Sequence, residues 1–306
     1  MIKNIKLFQK QFIIAFVFLA VFFFIKYIPF KGYQQDSLLK NIPLEDQLEL
    51  KILFCDGIFR HQLGYTLFGN KPISIMGYFT DIPWGNILWG ASKAQLSNCW
   101  KAWKKYKHLF PIKNYILMDE AQSSMGMRTI TLINKKSFLK IIQEHLGFFK
   151  EKLGKDFTPE KFLDELSMEG ANLFDLLHRD ETLYGILLGF GKNNAQLFVR
   201  NFELMKSLMS YEYFGDKISL NYPKPSIGFQ SLQEESEFLT KKLLSYPQPE
   251  DLNSKVYFIR PVFFGGDKDD PETILLHKKY ERMRRKLIKI YSNGNLLEVT
   301  LRQLTS

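Results

Sequence analysis

Cysteine is scarce in this chain, since Cys55 and Cys99 are its only two among 306 residues. Their spacing matches no zinc-binding or redox pattern, so the sequence indicates neither a zinc site of that kind nor a disulfide-rich scaffold. We interpret both as buried free thiols, because burial is the usual fate of isolated cysteines. A disulfide between the two stays open as the alternative.

Complete catalytic motifs are also lacking. The histidines are scattered along the chain and show no paired metal-ligand spacing: His61, His108, His145, His178 and His277. Ser137 and Lys140 match the S-x-x-K string of penicillin-binding enzymes, but no companion K-T-G or S-D-N motif occurs, so we attribute the match to chance. The sequence therefore predicts no metal and no cofactor, and it leaves catalytic and cofactor-binding residues unknown.

Acidic residues are absent from the first 31 positions, which carry five of the 42 basic residues. The formal charge of the whole chain is +10, and leaving out this segment gives 37 basic against 32 acidic residues, or +5. That balance is ordinary for a soluble domain, so net charge does not indicate a nucleic-acid partner. A hydrophobic content of 45% supports a large core and argues against disorder.

The first 31 residues do contain an uncharged apolar run between Lys10 and Lys26. Its predicted membrane-anchoring residues are Phe12, Ile13, Ile14, Phe16, Val17, Phe18, Leu19, Val21, Phe22, Phe23, Phe24 and Ile25. As a helix, this run would cover roughly 21 Å, which is short of the roughly 30 Å hydrocarbon core of a bilayer. Lysines at both ends compensate for the difference by snorkelling.

Three interpretations of this run were weighed. A cleavable signal peptide needs small residues after the apolar run, but the residues from Phe22 to Tyr27 are bulky. A buried core helix rarely begins so near the terminus with an apolar surface all round. We therefore predict an uncleaved anchor in residues 1–31 and one globular domain in residues 32–306. Because a short N-terminal tail most simply stays inside, the domain is expected outside the cytoplasm.

Periodicity predicts an α+β domain, mainly helical, around a small antiparallel sheet. A stripe of Leu48, Ile52, Cys55, Phe59 and Leu63 favours a helix over residues 43–68. Further predicted elements are a strand at 73–79, a tryptophan-rich helix at about 84–109, a hairpin of 115–118 with 128–133, helices throughout 137–210, a loop near 221–226, a strand at 256–264 and a long basic helix from Pro271. Within the helical region, plausible helix starts are Ser137, Thr158 and Asn172.

Four polar clusters are candidates for function. The turn Gly189–Asn194 is reminiscent of a phosphate-binding loop, but its third glycine is missing and a helix-to-helix turn is preferred. An acidic cluster (Asp267, Asp269, Asp270 and Glu272) suits a hard cation or, by preference, a helix start. The polar group 178–181 suits acid-base chemistry only if it lines a cleft, and a solvated surface is preferred.

Basic residues form the fourth cluster, in two parts. Trp100 and Trp103 alternate with lysines over residues 100–108, and the last long helix crowds cations on one side: Lys278, Arg282, Arg285, Lys286 and Lys289. Either set is suited to phosphates of lipid head groups or nucleic acid, with lipid favoured beside a membrane anchor. Core packing of the tryptophans and solvation of the charges is the simpler interpretation.

Three segments resemble a family of proteins of chlamydiae and chlamydia-like bacteria that has no assigned activity. They are Gly64-Tyr65-Thr66-Leu67-Phe68-Gly69-Asn70-Lys71-Pro72, Leu187-Leu188-Gly189-Phe190-Gly191-Lys192-Asn193-Asn194-Ala195 and Leu297-Glu298-Val299-Thr300-Leu301-Arg302-Gln303-Leu304. The resemblance implies a bacterial, envelope-associated protein and transfers no functional residue.

These observations predict a single-pass membrane-anchored protein of the bacterial envelope, non-enzymatic, whose domain contacts a protein or an anionic lipid. The lipid membrane itself is the partner of the N-terminal segment, and nucleic acid is not expected. The alternative is a membrane-tethered enzyme with a pocket near residues 178–194.

Overall fold

The computed structural model describes residues 39–79, 87–121, 127–214, 223–245, 259–262, 264–292 and 294–306, without the side chains of 79, 87–95 and 210–214. Contacts divide the chain into two units, residues 1–41 and 42–306, and only residues 39–41 of the first are described. The predicted anchor, Phe12 to Ile25, lies outside the described residues. No helix in the described part is long and apolar enough to cross a membrane.

The unit 42–306 is a mixed α+β fold in which helices dominate, as predicted. In chain order its described elements are α1 (Leu44–Arg60), α2 (Leu63–Leu67), β1 (Ile73–Phe79), α3 (Ile87–Tyr106, followed by a 3-10 turn Lys107–Leu109), β2 (Tyr115–Ala121), β3 (Met127–Asn134), α4 (Lys135–Glu144), α5 (Leu146–Leu153), α6 (Pro159–Leu166), α7 (Leu173–Leu176), α8 (Glu181–Leu187), α9 (Lys192–Phe214), α10 (Leu232–Leu243), α11 (Pro271–Ser292) and α12 (Leu296–Thr305).

The sheet has the order β1-β3-β2, and both pairings are antiparallel. The predicted hairpin is confirmed as β2 and β3, with Glu120 opposite Thr129. Because side chains alternate along a strand, Ile73, Ile116 and Ile133 share one face. That face packs on the helices that follow the hairpin, so the sheet supports the helical part of the domain.

The main core cluster lies between this face of the sheet and helices α4 to α9. Its members are Ile73, Ile133, Phe138, Ile142, Phe149, Phe162, Leu166, Leu173, Leu177, Leu183, Ile186, Leu187 and Ala195. Phe138 and Phe162 stack with ring centroids 5.8 Å apart. This cluster gathers short helices that are too brief to be stable alone, so packing rather than helix propensity holds them.

Helix starts in this region follow from capping side chains. Thr158 and Asn172 are confirmed as N-caps, and their side chains accept hydrogen bonds from the amides of Lys161 and Asp175. The predicted start at Ser137 is wrong by three residues. Asn134 is the N-cap of α4, and its side chain accepts a hydrogen bond from the Ser137 amide at 3.0 Å.

The predicted helix over residues 43–68 is two helices, and its predicted buried stripe is wrong. Gln62 adopts a left-handed φ of 66°, which breaks the helix after Arg60. The buried face of α1 consists of Leu50, Leu53, Phe54 and Ile58, whereas Leu48 is 41% exposed. Packing on Trp103 of α3 selects this face, since the Phe54 and Trp103 rings lie 5.6 Å apart, edge to face.

The predicted strand at 256–264 is also wrong where it is described. Residues 256–258 and 263 lie outside the described part, and 259–262 and 264 are not in a strand. Helices hold this backbone instead. Tyr65 Oη donates to Arg260 O at 3.0 Å, Arg284 Nε donates to Ile259 O at 3.1 Å, and the Arg260 amide donates to Phe59 O.

Candidate functional site

Three segments far apart in sequence, 64–72, 187–195 and 297–304, meet around α11. Lys71 of the first segment lies with Nζ 5.7 Å from the centre of the Phe190 ring in the second. Tyr280 of α11 donates a hydrogen bond to Gly189 O at 2.7 Å, and its ring lies edge to face with Tyr65. Gln303 Nε2 of the third segment donates to Leu67 O at 3.1 Å. Segments far apart in sequence thus form one region of the fold.

Lys71 is the unusual residue of this region. Its side chain is 1% exposed, and Nζ donates a hydrogen bond to Ile73 O at 2.6 Å. Burial, with a smaller effect from the charge of Lys279, lowers the pKa of Lys71 to about 7. Sequence patterns did not single out this residue, because lysine is rarely buried and nothing in its neighbours indicates burial.

The turn Gly189–Asn194 joins α8 to α9, which confirms the preferred helix-to-helix interpretation. Gly189 and Gly191 have φ values of +78° and +86°, which favour glycine. A side chain at Gly191 would also meet the Glu272 carboxyl group at 2.7 Å. The carboxylate of Glu272 therefore lies over the start of α9, where a negative charge is favourable.

Asn194 connects this turn to the start of α11. Its Nδ2 donates to Phe190 O at 2.9 Å and to Thr273 Oγ1 at 2.8 Å. Its Oδ1 accepts a hydrogen bond from the Asp267 amide at 3.2 Å. Asn194 and Thr273 are both buried, so this network is structural and fixes the two helix ends relative to each other.

The acidic cluster acts as a helix start and an ion-pair partner. Asp270 accepts hydrogen bonds from the Glu272 amide at 3.2 Å and from Thr273 Oγ1, as in an N-cap, which supports the preferred interpretation. Asp267 pairs with Lys242 at 2.8 Å. Burial opposes ionisation of Asp267, but Lys242 and the Asp269 amide outweigh it and lower its pKa. In the described part, no three His, Cys, Asp or Glu side chains form a group that could hold a metal ion.

A cleft of about 370 Å³ opens beside this network. It is lined by Asn193, Gln196, Leu197, Lys242, Asp267 and Asp270. These residues come from α9, from α10 and from the loop before α11, so polar side chains of separate segments converge there. Of its lining residues, Asn193 alone falls within residues 178–194, the range near which the alternative interpretation of the sequence expected a pocket.

The polar group at 178–181 does not line this cleft. His178 and Arg179 are exposed, and Arg179 pairs with Asp175 at 2.9 Å. Asp180 is the N-cap of α8 and accepts a hydrogen bond from the Leu183 amide at 2.9 Å. The preferred solvated interpretation is confirmed, although His178 and Arg179 lie in a turn with φ values of 53° and 59° rather than on a helix.

The two basic clusters differ in their surroundings. Trp100 and Trp103 of α3 are buried, so they belong to the core, while Lys101, Lys104, Lys105 and Lys107 are exposed. Five of the seven cations of α11 are exposed, and we call them the basic face of α11: Lys278, Arg282, Arg285, Lys286 and Lys289. Arg285 pairs with Glu281 at 3.3 Å, and within the described residues the other four form no ion pair.

Both cysteines are free thiols, as preferred from the sequence, but only Cys99 is fully buried. Cys99 Sγ donates to Glu49 Oε2 at 2.8 Å. Cys55 is half-buried, and burial raises its pKa to about 11. Neither thiol has the lowered pKa that marks a reactive cysteine.

A second buried titratable group was missed by sequence reasoning. Glu120 of β2 is 4% exposed, and its Oε2 accepts a hydrogen bond from the Leu173 amide at 3.0 Å. The hydroxyl of buried Thr131 lies beside this carboxyl group and, like the Leu173 amide, favours its charged form. Burial raises the pKa of Glu120. Alternation places Glu120 on the same face of β2 as Ile116 and Met118, but a glutamate at the end of a strand is ordinarily solvated, so its residue type gave no signal of burial.

No family model, curated protein or solved structure matches this chain.

Proposed function

We propose that this chain is a single-pass membrane-anchored protein of the bacterial envelope, whose domain is an interaction module rather than an enzyme. The observation that carries the proposal is the apolar run from Phe12 to Ile25 between lysines, without a charged residue. Fourteen consecutive residues of this kind gain more free energy in lipid than on the surface of a soluble domain. The resemblance of three segments to a chlamydial family supports the bacterial setting.

Exposed surfaces of the domain support the interaction role. Phe198, Phe202, Met205 and Met209 of α9 are each about half exposed, and they recur at spacings of four, three and four residues, so they lie on one side of the helix. The basic face of α11 is a second such surface. Contiguous exposed apolar residues and unpaired cations are typical of surfaces that meet a partner.

Fractionation with protease protection tests the anchor. The full chain is expected in the membrane pellet after carbonate washing, and the variant Phe18→Asp with Phe22→Asp in the soluble fraction, because an acid at the centre of an apolar segment costs about 2.5–3.5 kcal/mol. Protease added to spheroplasts then shows on which side the domain lies. A wild-type chain that stays in the supernatant without detergent would overturn the proposal.

The cleft beside Asn193 favours a second candidate function, a membrane-tethered enzyme acting on a small polar molecule. Its polar lining from three segments is the observation in favour. Thermal unfolding against a panel of phosphorylated and carboxylated metabolites tests it. A true ligand raises the Tm of the wild type but not of Gln196→Trp, which fills the cleft, while exposed Gln233→Trp serves as the control. If no metabolite in the panel raises the Tm of the wild type, the proposal that the cleft binds a small polar molecule is overturned.

A further inference from the structure

The five cations of the basic face lie on one side of α11. At about 100° per residue, the basic face covers an arc of about 100° along a length of about 17 Å. Exposed Leu275, at 67%, lies three residues before Lys278 and on the same side. Glu281 is the only acid of α11 that borders this face, and it is already paired with Arg284 and Arg285.

The opposite side of α11 holds the helix in place. Thr273, Tyr280, Leu287 and Tyr291 are buried there. Tyr280 donates to Gly189 O, and Tyr291 shares a hydrogen bond with Thr300 Oγ1 at 3.2 Å. The cations therefore project from a fixed backbone, and a partner need not order a flexible segment before it binds them.

We infer that the basic face of α11 binds the phosphate groups of anionic lipids at a membrane surface. The choice of lipid rests on the proposed function, since an anchor in residues 12–25 keeps the domain beside a bilayer at high effective concentration. Charge complementarity supports the same partner, because four of the five cations have no acidic partner within the described residues. Leu275 adds an apolar side chain at the end of the face, suited to the boundary between head groups and acyl chains.

Vesicle flotation of four forms of the full chain separates the anchor from the basic face. They are the wild type, an anchor variant (Phe18→Asp with Phe22→Asp), a face variant (Lys278, Arg282, Arg285, Lys286 and Lys289 all →Gln) and the combination of both. Each is mixed with phosphatidylcholine vesicles and with the same vesicles containing phosphatidylglycerol, at low and high salt.

The wild type and the face variant are expected to float with both kinds of vesicle through the anchor. The anchor variant is expected to float only with phosphatidylglycerol vesicles and to dissociate at high salt. Each removed cation weakens this binding about fivefold at low salt, so the combined variant binds on the order of a thousandfold more weakly. Circular dichroism checks that the glutamine substitutions leave α11 folded.

A matched control keeps the total charge equal. Five scattered exposed lysines (Lys136, Lys155, Lys161, Lys224 and Lys241, all →Gln) are changed in the anchor variant, which is expected to keep most of its binding. If the control set weakens binding of the anchor variant as much as the five substitutions of the combined variant do, the attraction depends on total charge alone and the inference is overturned. The inference is also overturned if the anchor variant fails to bind phosphatidylglycerol vesicles at low salt.

The partner class is tested with the same proteins. Fluorescence anisotropy of a labelled oligonucleotide with the anchor variant is expected to show weaker binding than the vesicles do, and tighter binding to the oligonucleotide would overturn the lipid assignment. If instead the wild type fails to float with pure phosphatidylcholine while the anchor variant still binds phosphatidylglycerol, the anchor proposal fails and the basic-face inference stands.

Discussion

Replacing Lys71 with methionine perturbs a cation that the fold keeps away from water. The Lys71 side chain is 1% exposed, and Nζ donates a hydrogen bond to Ile73 O at 2.6 Å. A buried ammonium group without a carboxylate loses hydration that one carbonyl does not replace. Its pKa is accordingly lowered from 10.5 to about 7, mainly by burial.

This change in pKa sets both the magnitude and the pH range of the effect. At about 1.36 kcal/mol for each pKa unit, the fold disfavours the charged amine by about 5 kcal/mol. Between pH 7 and 10.5 the unfolded chain binds more protons than the folded chain at this site. The free energy of unfolding therefore rises as the pH rises through this range, and the full penalty applies below it.

Methionine has a similar length and no charge, so Lys71→Met removes the penalty. It also removes the hydrogen bond to Ile73 O, at a cost of about 1–3 kcal/mol if the carbonyl is left unpaired. At pH 6 to 7 we expect the variant to be more stable than the wild type by about 2–4 kcal/mol. Near pH 10.5 the order is expected to reverse.

Urea unfolding of the full chain in mild detergent, followed by tryptophan fluorescence from pH 6 to 10.5, measures this difference. The exposed Lys136→Met is the control, and its difference from the wild type is expected to change little with pH. Wild-type and Lys71→Met stabilities that run parallel across this pH range would refute the reasoning, because the amine would then titrate equally in both states.

Three further substitutions test other buried or strained positions. Because the pKa of Glu120 is raised in the folded state, the wild type is expected to lose stability as the pH rises above about 4.3, the ordinary pKa of glutamate. Glu120→Gln is expected to abolish this loss, and urea denaturation at pH 4 to 8 measures the free energy of unfolding of both proteins. His178→Gly is expected to raise stability by about 1 kcal/mol in urea unfolding, because it relieves a left-handed backbone at a φ of 53°. Gly191→Ala is expected to lower the Tm through its φ of +86° and its approach to Glu272, whereas Gly147→Ala, with no atom within 4 Å of the added carbon, is expected to leave it unchanged or slightly raised.

Local signals in the sequence predicted much of the fold. The hairpin, the long helix from Pro271 and the caps Thr158 and Asn172 are decided by a few neighbouring residues, and all are confirmed. The buried face of α1 was wrong because α1 carries apolar residues on more than one side, and packing on Trp103 of α3 selects the side of Phe54. The predicted helix was also too long, since the left-handed φ of Gln62 ends it.

The burial of the site residues depends on contacts with residues distant in sequence, and local sequence patterns do not reveal such contacts. Lys71 is buried by Phe190 and α11, more than a hundred positions away, and Glu120 is buried by α7. A lysine or glutamate in a strand or turn is ordinarily solvated, so local patterns predict exposure for both. The cations of α11, by contrast, could be placed on one face from spacing alone, since their exposure needs no partner.

The inner side of α11 contributes to the stability of the domain, whereas its outer side carries the cations proposed to bind the membrane. Its inner side is hydrogen-bonded and packed against the segments around Gly189 and Thr300, so substitutions there act first on folding. Its outer side carries cations that, apart from Arg285, have no ion pair within the described residues, so replacing them removes charge without removing packing. A loss of membrane binding with an unchanged Tm can therefore be assigned to the surface itself, which makes this helix the most informative element on which to test the interaction role.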